Sequence, residues 1–166
     1  MTVPHAEGGA SVTPAFDAGR LWAGGVATAL VAALVVVVGI LIARGIFGIP
    51  VLAPKGDGAW GDADTAMYAL FAALVALLAT ALMHLLLLFT PHPGAFFGWI
   101  ITLATALGVA GPFATNASPA AQVATAVINL ALGLAVGYLV MSAVRGAVRT
   151  AMLRSRGIPP YPEVAP

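Results

Sequence analysis

Apolar and polar positions in this chain fall into long blocks. Four blocks are almost wholly apolar: residues 21–43, 66–89, 95–113 and 120–144. None of them contains Asp, Glu, Lys or Arg. A helix needs about 20 apolar residues to cross the hydrocarbon core of a bilayer, so each block is long enough, or nearly so, to span it. The run Val35–Val38 favours a strand locally, but it sits in a 23-residue apolar stretch, and that length decides for a helix. The pattern therefore predicts an all-α fold, a four-helix transmembrane bundle of antiparallel up-down topology.

The connections are marked by breakers. Residues 44–65 hold Gly45, Gly48, Pro50, Pro54, Gly56, Gly58 and Gly61, which reads as the one substantial loop. Its first half is apolar and suits the bilayer surface; its second half carries Lys55, Asp57, Trp60, Asp62 and Asp64. Thr90–Gly94 and residues 114–119 are short links. Ser118-Pro119 is a start signal, because serine caps free N–H groups and proline at the first position needs no donor. Asp64 is the expected N-cap of the second span, and the first span is expected to begin near Asp17 or Arg20.

Within the spans, small or polar residues recur every four positions: Gly24, Thr28 and Ala32; Ala72, Ala76, Thr80 and His84; Thr125, Asn129, Gly133 and Gly137. Such stripes let another helix approach closely.

Composition agrees with this pattern. Of 166 residues, 61% are hydrophobic and 8% charged, against about 25% charged in soluble domains. Lipid must cover much of the surface. There is no cysteine, which excludes disulfides, thiolate metal sites and cysteine nucleophiles. Residues 1–19 read as a disordered cytoplasmic N-terminus, 20–146 as the membrane domain, and 147–166 as a basic, then proline-rich cytoplasmic tail. The first apolar run is too long for a secretory signal, whose apolar core is about 7–15 residues. Pro159-Pro160-Tyr161 lacks the spacer of a Pro-Pro-x-Tyr ligand.

Charge sets the expected orientation. With both termini cytoplasmic, the inner side carries Arg20, Arg145, Arg149, Arg154 and Arg156, and the outer side Arg44 and Lys55. Positive residues favour the cytoplasm, so the expectation is N-in, C-in. Trp22, Phe89, Phe96, Phe97 and Trp99 then form an inner aromatic belt, and Phe47, Trp60, Tyr68 and Phe113 an outer one.

The runs Arg20-Leu21-Trp22-Ala23-Gly24-Gly25, Ala43-Arg44-Gly45, Gly48-Ile49-Pro50-Val51-Leu52-Ala53-Pro54 and Phe97-Gly98-Trp99-Ile100 resemble a family of small four-span integral membrane proteins of actinobacteria. The resemblance covers roughly residues 20–145. It implies the four-span fold and no established activity, so it assigns no site residue.

Each candidate site has a plain reading beside the functional one. His84 is the one titratable side chain in a span apart from tyrosine. Helix packing is its first reading; proton relay or pH sensing, and metal or haem ligation, are the alternatives. Asn129 needs a hydrogen-bonding partner in hydrocarbon. Packing within the bundle, a homo-oligomer contact and a substrate or ion site are its three readings. Asp57, Asp62 and Asp64 do not match the spacing of a calcium loop. The basic segment Arg145–Arg156 marks topology and attraction to anionic headgroups, with protein docking as the alternative.

No catalytic constellation is present in the sequence, and no cofactor or metal set. The expected function is therefore non-enzymatic: a structural or accessory component of the cell membrane that binds a partner or itself. One alternative is a small transporter or channel with Thr80, His84 and Asn129 along a polar path. The other is a lipid-modifying enzyme. The bilayer, a membrane protein or a further copy are the expected partners; nucleic acid is not.

Overall fold

The computed structural model describes residues 17–51 and 63–155. Four helices account for nearly all of them: α1 (Ala18–Ile40), α2 (Ala63–Phe89), α3 (Pro93–Ala110) and α4 (Pro119–Ser155). No strand occurs among the described residues. All four helices are long and apolar enough to cross a membrane.

Neighbouring pairs fix the topology. Asp17 N–H donates to the Ala147 carbonyl, 3.4 Å away, and a Cβ on Gly39 would meet Ile128. Helices α1 and α4 are thus antiparallel, and α1 begins at the end of the bundle where α4 finishes. This is called the terminal end below, and the opposite one the distal end. Trp22 faces His84 across α1 and α2, so that pair is also antiparallel. Helices α3 and α4 are antiparallel too, with Gly108 beside Asn129 and Gly137 beside Ile101.

Helix α1 is central, packed against both α2 and α4, while α3 leans chiefly on α4. Two consecutive glycines make this position workable. A Cβ on Gly24 would lie 2.5 Å from Ala143 Cβ of α4, and one on Gly25 would lie 2.5 Å from Thr80 Cγ2 of α2. Neighbouring residues point about 100° apart on a helix, so each glycine opens a different seam. The buried positions of α2 are Thr65, Ala69, Ala72, Ala76, Ala79 and Met83, with Thr80 beside them. Steps alternating between four and three residues are the spacing of left-handed helix packing. Most are alanine, so the backbones come close and dispersion replaces the hydrophobic drive that lipid removes. Leu21, Val36, Ile40, Met83, Val136 and Val140 fill the space between α1, α2 and α4.

Helix ends differ in places from the sequence expectation. Asp17 caps α1, its Oδ1 accepting from Arg20 N–H at 3.2 Å. The loop expected from Arg44 starts later, because the helical path continues as a π-helical turn, Leu41–Ile46, through Gly45. Gly48 ends it with φ of 61°, a left-handed value that suits glycine. Ile49 N–H then bonds the Ala43 carbonyl at 2.8 Å, and Val51 returns to the core. Helix α2 begins at Ala63, which places Asp64 inside the first turn and not at the cap. The cap before α4 matches expectation: Pro119 opens the helix, and Ala121 N–H reaches Ser118 Oγ at 3.4 Å. Helix α4 runs without a break from the span into the basic segment as far as Ser155. Its 37 residues make about 55 Å at 1.5 Å per residue, well over the roughly 30 Å of a hydrocarbon core. Residues 1–16, 52–62 and 156–166 lie outside the described set, and with them the expectations for the N-terminus, Trp60, Asp57, Asp62 and Arg156.

Two aromatic residues leave the expected belts. Phe97 is 1% exposed and belongs to the core. Tyr68 turns its hydroxyl inward, as described below. Trp22, Phe89, Phe96 and Trp99 at the terminal end, and Phe47 and Phe113 at the distal end, are exposed.

Candidate functional site

The richest polar cluster inside the spans centres on Asn129 of α4. Tyr68 Oη of α2 donates to Asn129 Oδ1 at 2.6 Å, and Asn129 Nδ2 donates to the Gly108 carbonyl of α3 at 2.7 Å. One amide thus uses its acceptor and one donor to tie three helices together. A Cβ on Gly108 would lie 3.7 Å from Asn129 Cβ, an ordinary van der Waals distance. The Gly108 carbonyl is open to the Asn129 bond because the residue four positions on, Pro112, has no N–H to donate.

One turn further along α4, Gly133 meets Thr105 of α3 so closely that a Cβ would lie 2.1 Å from Thr105 Oγ1. Gly137 is less crowded, with Ile101 Cγ2 3.4 Å from the same construction. Asn129, Gly133 and Gly137 therefore face α3 of the same chain. Thr125 is buried near them, with its Oγ1 donating to the Ala121 carbonyl at 2.8 Å.

Thr80 and His84 lie on another seam. Thr80 is fully buried against Gly25, and its hydroxyl donates to the Ala76 carbonyl at 2.9 Å. His84 follows one turn on, its ring 6.3 Å from that of Trp22 and tilted by 50°. The structure thus splits the six sequence candidates between two seams: Thr80 and His84 between α1 and α2, the other four on α4. Neither the groove between α1 and α4 nor the one between α3 and α4 is lined by Thr80, His84 or Asn129.

The hydroxyls follow one rule. Thr28, Thr80, Thr102, Thr105, Thr125 and Thr150 each donate to the carbonyl four residues earlier. Lipid offers no water, so a threonine hydroxyl satisfies itself on its own helix.

At the terminal end, Arg20 of α1 donates through Nη1 to Thr150 Oγ1 of α4. Arg20 is thereby part of a contact between helices. Arg145 and Arg149 are exposed, and Arg154 lies on the last turn of α4.

Sequence reasoning missed several of these partners: Tyr68 as the mate of Asn129, Gly25 as the seat of Thr80, and Thr150 as the mate of Arg20. A tyrosine and an asparagine inside two apolar spans, and a doublet of glycines in a third, were the available signals.

Four long apolar helices, with threonines turned onto their own backbone and one amide bridging three of the helices, define a multi-pass membrane protein. Residues 16–146 match a family of unknown function, DUF6069, and the chain belongs to it. No curated protein and no solved structure matches it.

Proposed function

We propose that the chain is a non-catalytic component of the cell membrane that works by binding, either a partner membrane protein or a further copy. One observation carries this reading: the intramembrane polar groups serve helix packing. Asn129 closes the junction of α2, α3 and α4, and the span threonines bond their own helices. Chemistry on a substrate needs polar groups aimed at a shared cavity. Here the threonine hydroxyls are turned onto their own helices, and Asn129 onto its neighbours.

The surface left for a partner includes α3, where Phe97 is the buried residue and Phe96, Trp99, Leu103 and Leu107 face outward. Both ends of the bundle's chain lie on one side in the proposed orientation, which is cytoplasmic. Arg20, Arg145 and Arg149 gather at that end, in keeping with the positive-inside rule.

A photoreactive residue placed at Leu103, in cells expressing the full chain, tests the binding reading. The expected product is one discrete protein adduct in native membranes, of a partner or of the dimer. Adducts to lipid alone, together with solute flux in reconstituted vesicles that falls in His84→Ala or Asn129→Ala, would replace binding with transport.

A further inference from the structure

Two tyrosines lie in the spans, and their hydroxyls are treated differently. Tyr68 donates to Asn129 of the same chain. Tyr138 of α4 is 71% exposed, and its hydroxyl has no hydrogen-bond partner among the described residues. It lies seven residues before Arg145, which is about 10 Å of helix at 1.5 Å per residue. The Cα–Cβ bond of a helical residue tilts toward the helix start. For Tyr138 that direction leads away from Arg145 and into the hydrocarbon, which offers a phenol nothing to bond.

Tyr138 lines a groove of about 520 Å³ between α3 and α4. Thr102, Thr105, Ala106, Gly133 and Gly137 line it too, all of them small. Gly137 sits beside Ile101, which puts Tyr138 and Thr102 at nearly one depth. Thr102 is exposed, and its hydroxyl donates to the Gly98 carbonyl. Its oxygen keeps lone pairs for accepting. The α3 side of the bundle is also the least covered. In the apolar window of α3, 6% of the residues are buried, against 33%, 28% and 28% in the windows of α1, α2 and α4.

This face complements itself. A twofold axis along the membrane normal leaves every residue at its own depth, and each contact made by one copy is repeated by the other. A bulky donor and a small-lined groove holding an acceptor, at one depth on one face, satisfy that symmetry. We propose that a second copy of this chain docks on the α3–α4 face, each Tyr138 entering the groove of the other copy and donating to the Thr102 there. This inference rests on the binding reading above and names its partner.

Energy transfer tests it, between full chains labelled at a single cysteine, Asn116→Cys, and reconstituted in vesicles at falling protein-to-lipid ratio. The chain with its face intact should dimerise reversibly. Tyr138→Phe should weaken the dimer by roughly eightfold, or about 1.2 kcal/mol, for two symmetric bonds of the mean strength found between membrane helices. Thr102→Val should weaken it as much, and the two changes together no more than either alone. Ala106→Phe fills the groove from its exposed side and should weaken the dimer by more than roughly tenfold. No energy transfer with the face intact, unchanged transfer in Ala106→Phe, or losses that add in the double variant would each overturn the proposal. A discrete adduct to a different protein at Leu103, with no energy transfer between copies, would overturn it while leaving the binding reading in place.

Discussion

Gly133→Ala should destabilise the bundle while Gly137→Ala should not, although the two glycines form a single Gly-x-x-x-Gly pattern. At Gly133 the new methyl would lie 2.1 Å from Thr105 Oγ1, 2.5 Å from Cγ2 and 2.8 Å from Cβ. Thr105 cannot swing away. It is β-branched and short, and its hydroxyl is bonded to the Ile101 carbonyl at 2.7 Å. Relief requires α3 to move off α4. Because α3 buries so little else, it yields before the centre of the bundle does. Overpacking of this kind costs about 1–3 kcal/mol. At Gly137 the nearest atoms are 3.4 and 3.6 Å away, which a small shift accommodates. Alanine is also favoured over glycine within a helix by up to about 1 kcal/mol, so the second variant should be neutral or slightly more stable. Reversible unfolding in mixed micelles measures both. Equal stability of Gly133→Ala and the unaltered chain would mean that α3 does not meet α4 at Thr105.

Asn129→Ala should cost about 1–3 kcal/mol, because it leaves the Tyr68 hydroxyl without its acceptor in a place poor in water. Tyr68→Phe removes only one of the two bonds, so its cost should be near the mean of about 0.6 kcal/mol measured for hydrogen bonds between membrane helices. In a double-mutant cycle the pair should couple, since Tyr68→Phe has little left to remove once Asn129 is gone. Full additivity would place the two side chains out of reach of each other.

The four spans were legible in the sequence because their length and freedom from charge leave no other fold. The facing between them was legible only where residues were small or polar. In water, a buried helix face stands out by its apolar stripe. In lipid, core and surroundings are equally apolar, and that contrast vanishes. Ala72, Ala76 and Thr80 were found as a stripe because their size differs from the leucines around them. Phe97 was misplaced in the interfacial belt for the same physical reason: nothing in an apolar run separates a phenylalanine facing lipid from one facing α4 and its neighbours. Tyr68 was assigned to the interface because its ring is amphipathic, yet the partner its hydroxyl chose is an amide 61 residues away. No local pattern encodes that distance. The π-helical turn was hidden because Gly45 reads as a helix breaker, whereas the backbone continues through it and stops at Gly48.

We propose that α1 to α4 cross the membrane four times, with the start of α1 and the end of α4 both on the cytoplasmic side. The chain has no cysteine, so single cysteines report without background. Asn116 lies in the exposed link at the distal end, and His92 in the exposed link at the terminal end. On intact cells, Asn116→Cys should react with a membrane-impermeant thiol reagent, and His92→Cys should react only after lysis. Labelling of His92→Cys alone would invert the orientation, and labelling of both on intact cells would contradict the four crossings.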